Sequence, residues 1–228
     1  MRRPDCPEPV NRLHPMNRTN CQNIVWDWNG TLLDDVQTGV DTLADMLCRR
    51  GITPLTVEEY KQTFCFPVID FYRQTGFDLD KESMHDLSTD FVESYEKHAG
   101  SLTLVQDVPE VLAALHATGK RLYILSALRE EELLRMTPEY GIDSYFEKIC
   151  GSDNIYANGK IDRGRQLVSA CGIRPEETLM VGDTLHDAEV AQALGFRCVL
   201  YAGGHNDEAR LRTAAPVIHR LKEILSFV

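Results

Sequence analysis

Five residues spread along the chain have types that could work together: Asp27, Ser126, Lys160, Asp183 and Asp187. A phosphate ester resists attack because its oxygens repel nucleophiles. Breaking one takes a carboxylate nucleophile, a hard divalent cation to screen charge, and fixed donors around the transferring group. Asp27 can supply the nucleophile, and Asp27 with Asp183 the hard oxygens that Mg²⁺ prefers. The Ser126 hydroxyl and the Ala127 main-chain N–H can donate to phosphate oxygens, and Lys160 can bring the positive charge. Taken singly, each has an ordinary reading as well. Asp27 and Asp187 could cap helices, Ser126 could belong to a turn, and Lys160 could be a solvated loop lysine with Lys120 and Lys148 as alternatives.

The elements around these residues are of one kind. Ile24-Val25-Trp26 is an apolar run that ends at Asp27, followed by Asn29, Gly30 and Thr31, the pattern of a buried strand delivering an acid to its C-terminal end. Gly30 permits a sharp exit, and Thr31 can bond an anion or the turn itself. Arg121–Leu125 is a second apolar strand ending at Ser126-Ala127, Tyr145–Cys150 a third, Thr178–Val181 a fourth running into Gly182-Asp183, and Arg197–Tyr201 a fifth. Helices are expected between them at Val108–Thr118, Arg129–Met136, Ile161–Cys171 and 187–194, with a last one at about 217–226. Alternating strands and helices with Gly-marked turns imply an α/β fold with a Rossmann-like, doubly wound parallel sheet, whose strand ends share one edge.

Between the first two strands the pattern is helical throughout: Val36 to about Arg50, a helix opened by the capping box Thr56…Glu59, and amphipathic segments to about Gly100. That is too much for a crossover, so it should form a small separate domain. The expected division is 21–35 and 103–228 for the core, 36–102 for the inserted helical domain, and 1–20 for a disordered, proline-rich extension.

Composition narrows the classes. With 43% hydrophobic and 26% charged residues the chain is ordinary globular protein, and a net charge of −11 argues against partners that need a basic face, namely nucleic acid and anionic membrane. The seven cysteines form no metal-binding spacing, which favours reduced thiols and a cytoplasmic location. His205 and His219 have no partner at ligand spacing, and surface roles are expected for both.

Asp27-Trp28-Asn29-Gly30-Thr31 resembles the first motif of the haloacid dehalogenase-like hydrolases, Asp-x-Asp-Gly-Thr. Leu122–Ser126 resembles their second, Lys160 in Asn158-Gly159-Lys160 their third, and Gly182-Asp183-Thr184-Leu185-His186-Asp187 their fourth. The resemblance implies an Mg²⁺-dependent phosphohydrolase acting through an aspartyl phosphate on Asp27, with Asp27, Asp183, Asp187 and the Asn29 carbonyl around the metal. It makes the insertion a cap like that of the phosphoglycolate phosphatase-like members, and the partner a small phosphorylated metabolite, in a monomer or homodimer. The cap residues expected to read the substrate are Phe66, Pro67 and Arg73. One departure stands out: family phosphatases carry at position 29 an acid that protonates the leaving oxygen, and an amide cannot do so. The substrate is then expected to have a leaving group that needs little protonation, such as an acyl phosphate or anhydride, or another group such as His186 replaces the acid. Alternatives are phosphonate C–P cleavage through a cap lysine, with Lys61 a candidate, and a non-catalytic phosphate-binding member.

Overall fold

The computed structural model describes residues 21–157 and 159–228. The extension expected over 1–20, and Asn158 of the third motif, lie outside the described residues. The core is an α/β layered fold on a six-stranded sheet. β1 (Asn23–Trp26) lies in the middle, between β4 (Arg121–Arg129) and β6 (Thr178–Gly182), with β5 (Phe146–Ser152) beyond β4, and β7 (Arg197–Tyr201) and β8 (Val217–Ile218) beyond β6. All these pairings are parallel. The chain leaves β1, builds outward through β4 and β5, and returns to the other side of β1. This reversal of winding creates a crevice at the C-terminal strand ends, where such sheets bind ligands.

β1 shows why its sequence is apolar without alternation. Ile24 and Trp26 pack on one face with α5 (Val108–Ala117) and α6 (Glu130–Glu139), through Leu112, Leu115 and Leu133. Val25 points to the other face, against α7 (Lys160–Cys171) and α8 (Leu185–Leu194), through Leu167, Val190 and Leu194. A strand buried on both faces needs apolar residues at every position.

The inserted helices have a core of their own. Val40, Leu43, Met46 and Leu47 of α1 (Val36–Arg49) pack with Tyr60 of α2 (Val57–Thr63), Phe71 and Tyr72 of α3 (Val68–Gln74), and Leu87 of α4 (Met84–His98). The capping box expected at α2 is present, Thr56 Oγ1 accepting from Glu59 N at 3.2 Å and Glu59 accepting from Thr56 N at 2.8 Å. Ser83 and Asp86 form a second one at α4. Where the chain enters and leaves these helices, β2 (Leu33–Asp34) pairs antiparallel with β3 (Thr103–Leu104), a two-stranded neck absent from the sequence expectations.

The C-terminus corrects one expectation. The helix at about 217–226 is not formed: Val217 and Ile218 join the sheet edge opposite Leu200 and Tyr201, and only Leu221–Ser226 turns, as a 3₁₀ helix. Pro216, just before them, favours an extended chain, and two β-branched residues suit an edge strand. A short helix, α9 (Glu208–Leu211), precedes this edge, capped by Asp207.

Candidate active site

Asp27 follows β1, Asp183 follows β6, Ser126 lies within the long β4, and Lys160 opens α7. Being next to one another in the sheet, these elements bring their polar residues into one buried corner. Lys160 Nζ donates to Asp27 Oδ1 at 2.5 Å and to Asp187 Oδ1 at 2.6 Å, although it is only 4% exposed. Asp27, Asp183 and Asp187 each offer a carboxylate oxygen within 4.8 Å of the others. Lys120 is elsewhere, bonded to the Cys21 carbonyl at 2.6 Å, so the lysine at this corner is Lys160.

Each carboxylate is held differently. Asp187 Oδ2 accepts from Asp183 N, Thr184 N and Thr184 Oγ1, the last at 2.7 Å, while its Oδ1 holds Lys160. Both Asp187 oxygens are thus committed to the helix cap and to the lysine. Asp183 Oδ1 accepts from Thr31 Oγ1 at 2.9 Å, and Oδ2 from His205 N at 2.6 Å. Thr31 therefore faces Asp183 and is fully buried, away from the cavity where a substrate would sit. Gly30, at φ +71°, is required here, because a Cβ would lie 2.4 Å from Asp183 Oδ2. Gly204 is required for the same reason, its Cβ falling 2.2 Å from the Asp183 side chain.

Charge in this corner is out of balance. Burial, with repulsion from Asp187 and Asp183, raises Asp27 well above the carboxylate range against the pull of Lys160. Burial likewise pushes Asp183 up to about 6, with Asp187 adding to it against the pull of His205. Burial opposes the ionisation of Asp187 too, but Lys160 outweighs it and keeps that carboxyl low. Lys160 stays protonated because Asp187 and Asp27 overcome its own burial. Three buried carboxylates facing one ammonium, all hard oxygen donors, suit a divalent cation of the Mg²⁺ type.

A second cluster adjoins the first. Asp35, 2% exposed, accepts four hydrogen bonds: Asn29 Nδ2 (2.7 Å) and Tyr95 Oη (2.9 Å) on Oδ2, Gly30 N (2.7 Å) and His205 Nε2 (3.2 Å) on Oδ1. Tyr60 Oη meets His205 Nδ1 at 2.9 Å. Burial disfavours the Asp35 carboxylate, but His205, Asn29 and Tyr95 together hold it below the usual range. Burial also disfavours the imidazolium, yet Asp35 and the neighbouring aspartates push His205 up to about 9. His205 is thus a buried member of the site and not the surface residue expected from sequence; His219, half exposed, pairs with Glu208 at 3.1 Å. His186 stacks on Phe66 at 4.6 Å and bonds Glu189 at 3.1 Å, and it is absent from the cavity lining.

The corner opens into a cavity of about 370 Å³ between the cap helices and the core, with Asp27, Asn29, Ser126, Ala127 and Lys160 among its walls. Ser126 Oγ accepts from Leu128 N at 3.0 Å, which uses a lone pair and leaves the hydroxyl proton to donate elsewhere. Phe66 lines the cavity as expected; Pro67 and Arg73 do not, Arg73 being exposed and paired with Asp70. Lys61 bonds the Gly203 carbonyl at 3.4 Å, and no lysine of the cap lines the cavity among the described residues, so a Schiff-base role has nothing to rest on.

Comparison with known proteins places this arrangement. The haloacid dehalogenase-like hydrolase family model matches residues 24–201. The chain belongs to that family. A phosphoglycolate phosphatase of Pseudomonas aeruginosa is 25% identical over 212 residues, 89% of this chain and 78% of its own length. A 5'-nucleotidase from the same organism is 26% identical over 201 residues, covering 85% and 88%. Among solved structures, a haloacid dehalogenase-like protein of Streptococcus pneumoniae superposes with a TM-score of 0.77 at 20% identity, over 92% of this chain and 99% of that one, a likeness of fold. The family makes the chain a hydrolase, and no described helix is long and apolar enough to cross a membrane.

Proposed function

We propose that this protein is an Mg²⁺-dependent phosphohydrolase that acts through an aspartyl phosphate on a small phosphorylated metabolite. The observation that carries the reading is Lys160 bridging Asp27 and Asp187 in a buried corner shared with Asp183 and opening into the cap cavity. The similarity to a phosphoglycolate phosphatase and to a 5'-nucleotidase supports the same reading.

Asp27, Asp183 and Asp187, with the main-chain carbonyl of Asn29, would hold the metal, and Asp187 also fixes Lys160 and caps α8. When bound, the cation supplies charge screening between phosphate and carboxylate. The Asp27 carboxylate attacks phosphorus, and the ester oxygen leaves with the bonding pair. Ser126 and the Ala127 N–H hold the phosphoryl oxygens, and Lys160 offsets their charge. Water then attacks the phosphorus of the acyl phosphate, releasing phosphate and restoring Asp27. Thr31 and His205 N keep the Asp183 carboxylate in place. The cap shuts bulk water out of the cavity during the first step.

The test is phosphate release from acetyl phosphate and p-nitrophenyl phosphate, with Mg²⁺ and with EDTA. Release should depend on Mg²⁺ and vanish in Asp27→Asn. Release that survives this substitution would remove Asp27 as nucleophile, and Mg²⁺ affinity without any release would leave a binding role only.

A further inference from the structure

We propose that this site, read as a phosphohydrolase, takes aryl phosphates: monoesters whose leaving group is a substituted phenol or a fused two-ring aromatic, rather than an alkyl alcohol. Three observations converge on that class.

The first concerns the leaving oxygen. Asn29 lines the cavity with Asp27 where the family motif has an acid, and it donates to Asp35 at 2.7 Å. His205, the other candidate acid of the lining, has both ring nitrogens held, by Asp35 at 3.2 Å and by Tyr60 at 2.9 Å. An unprotonated leaving group must be stable as an anion. Phenols ionise near pH ~10, whereas water ionises near ~15.7 and simple alcohols are of that order, so an aryloxide can depart where an alkoxide stalls. General-acid help is worth ~10²–10⁴ in rate, and its absence weighs most on the alkyl esters.

The second is the wall of the cavity. Phe66, Phe91 and Tyr95 from the cap and Leu128, Met136 and Tyr140 from the core line the same cavity as Asp27. Aromatic rings packed on rings and on a thioether gain both area burial and favourable edge or stacked contacts. A cavity of about 150 Å³ accommodates benzene, so 370 Å³ has room for a phosphoryl group together with one or two fused rings.

The third is charge. A substrate with a second anionic group, such as a carboxylate, needs a cation beyond the phosphate site. Arg129 and Arg135 both line the cavity, but Arg129 is paired with Glu132 at 3.1 Å, and Arg135 with Glu132 at 2.9 Å and Glu139 at 3.1 Å. An ionic contact to a second anionic group would have to break one of these pairs, whereas the apolar wall is available as it stands.

The chemistry balances with water as the only co-reactant. An oxygen of Asp27 forms a bond to phosphorus, and the P–O(aryl) bond breaks with its electron pair going to the aryloxide. Water then attacks phosphorus, its proton passes to solvent, and Asp27 leaves as carboxylate. The aryloxide takes up a proton from solvent, so aryl phosphate and water give phenol and phosphate.

The experiment compares kcat/KM for acetyl phosphate, phenyl phosphate, 2-naphthyl phosphate, cyclohexylmethyl phosphate and phosphoglycolate, all with Mg²⁺. Acetyl phosphate reports on the phosphohydrolase itself. Cyclohexylmethyl phosphate has the bulk and apolarity of phenyl phosphate with an alkoxide leaving group, and so separates fit from departure. The expected result is phenyl and naphthyl esters above the cyclohexylmethyl ester by at least ~10²-fold, with phosphoglycolate lowest. Met136→Glu, and Val92→Asp at the cavity-lining valine of α4, should each lower the ratio of 2-naphthyl to acetyl phosphate hydrolysis about tenfold. Equal rates for the cyclohexylmethyl and phenyl esters, or a ratio unmoved by both substitutions, would overturn the aryl assignment while acetyl phosphate turnover keeps the phosphohydrolase reading. Release from no compound at all would overturn both.

Discussion

Asn29 is a departure from its family's motif, yet it is well matched to its surroundings. Its amide donates to Asp35, a carboxylate that already collects three other hydrogen bonds, so a second carboxylate at position 29 would face the first across 2.7 Å. Asn29→Asp should therefore do more than add an acid. Losing a partly buried donor and gaining like charge costs about 1–3 kcal/mol, visible as a lower Tm, and Asp35→Asn in the same chain should recover much of that loss. If the two changes are simply additive in a double-mutant cycle, the pair is not coupled. Asp183 allows a second test at the same scale. With its carboxyl pushed up to about 6 by burial, a proton competes with the metal below that pH. Because burial raises Asp27 as well, Mg²⁺ binding should already weaken as the pH falls towards 6, and by about tenfold or more per unit below it, as titration calorimetry at pH 7.5, 6 and 5 would register. A flat profile down to pH 5 would remove Asp183 from the metal's ligands.

Among the elements, strands β1, β4 and β6 could be read from the sequence because each is an apolar run closed by a polar residue. The same feature made Asp27, Ser126 and Asp183 legible, and Lys160 followed as the residue at the start of a helix. Capping is equally local, and the Thr56–Glu59 box was readable for that reason. What escaped is made by long-range contact. Asp35 and His205 lie 170 residues apart, Tyr60 and His205 145, Asp35 and Tyr95 60, and no spacing announces such meetings. The C-terminus was misread because Ile218, Leu221 and Ile224 repeat at helical spacing, while the pairing with β7 that decides the matter is tertiary. These distant contacts also join α4 to the catalytic core, through Tyr95 on Asp35. Tyr95→Phe removes that bond at a cost of about 1 kcal/mol. Amide exchange along α4 should quicken and kcat/KM should fall while the Mg²⁺ affinity holds. Unchanged exchange in α4 would mean that the apolar cap contacts alone seat the helix.

Taken whole, the molecule opposes the approach of its own substrate. It carries 35 acidic against 24 basic side chains, and the cations close to the site are already matched: Lys160 by Asp27 and Asp187, Arg129 and Arg135 by glutamates. A phosphate dianion therefore meets a repulsive field on its way in, and finds attraction only when it reaches the corner itself. Such a field reaches about 30 Å at 0.01 M salt and about 8 Å at 0.15 M. With Mg²⁺ held saturating, added KCl should therefore raise kcat/KM for a dianionic aryl phosphate, several-fold and at most about tenfold between these two concentrations. The gain belongs to encounter, so kcat should stay level, and acetyl phosphate, smaller but also dianionic, should respond in the same direction. A basic funnel would give the opposite slope, because screening would then remove an attraction. A fall of kcat/KM with salt would mean that the local cations of the active site, and not the net charge of −11, govern how the substrate arrives.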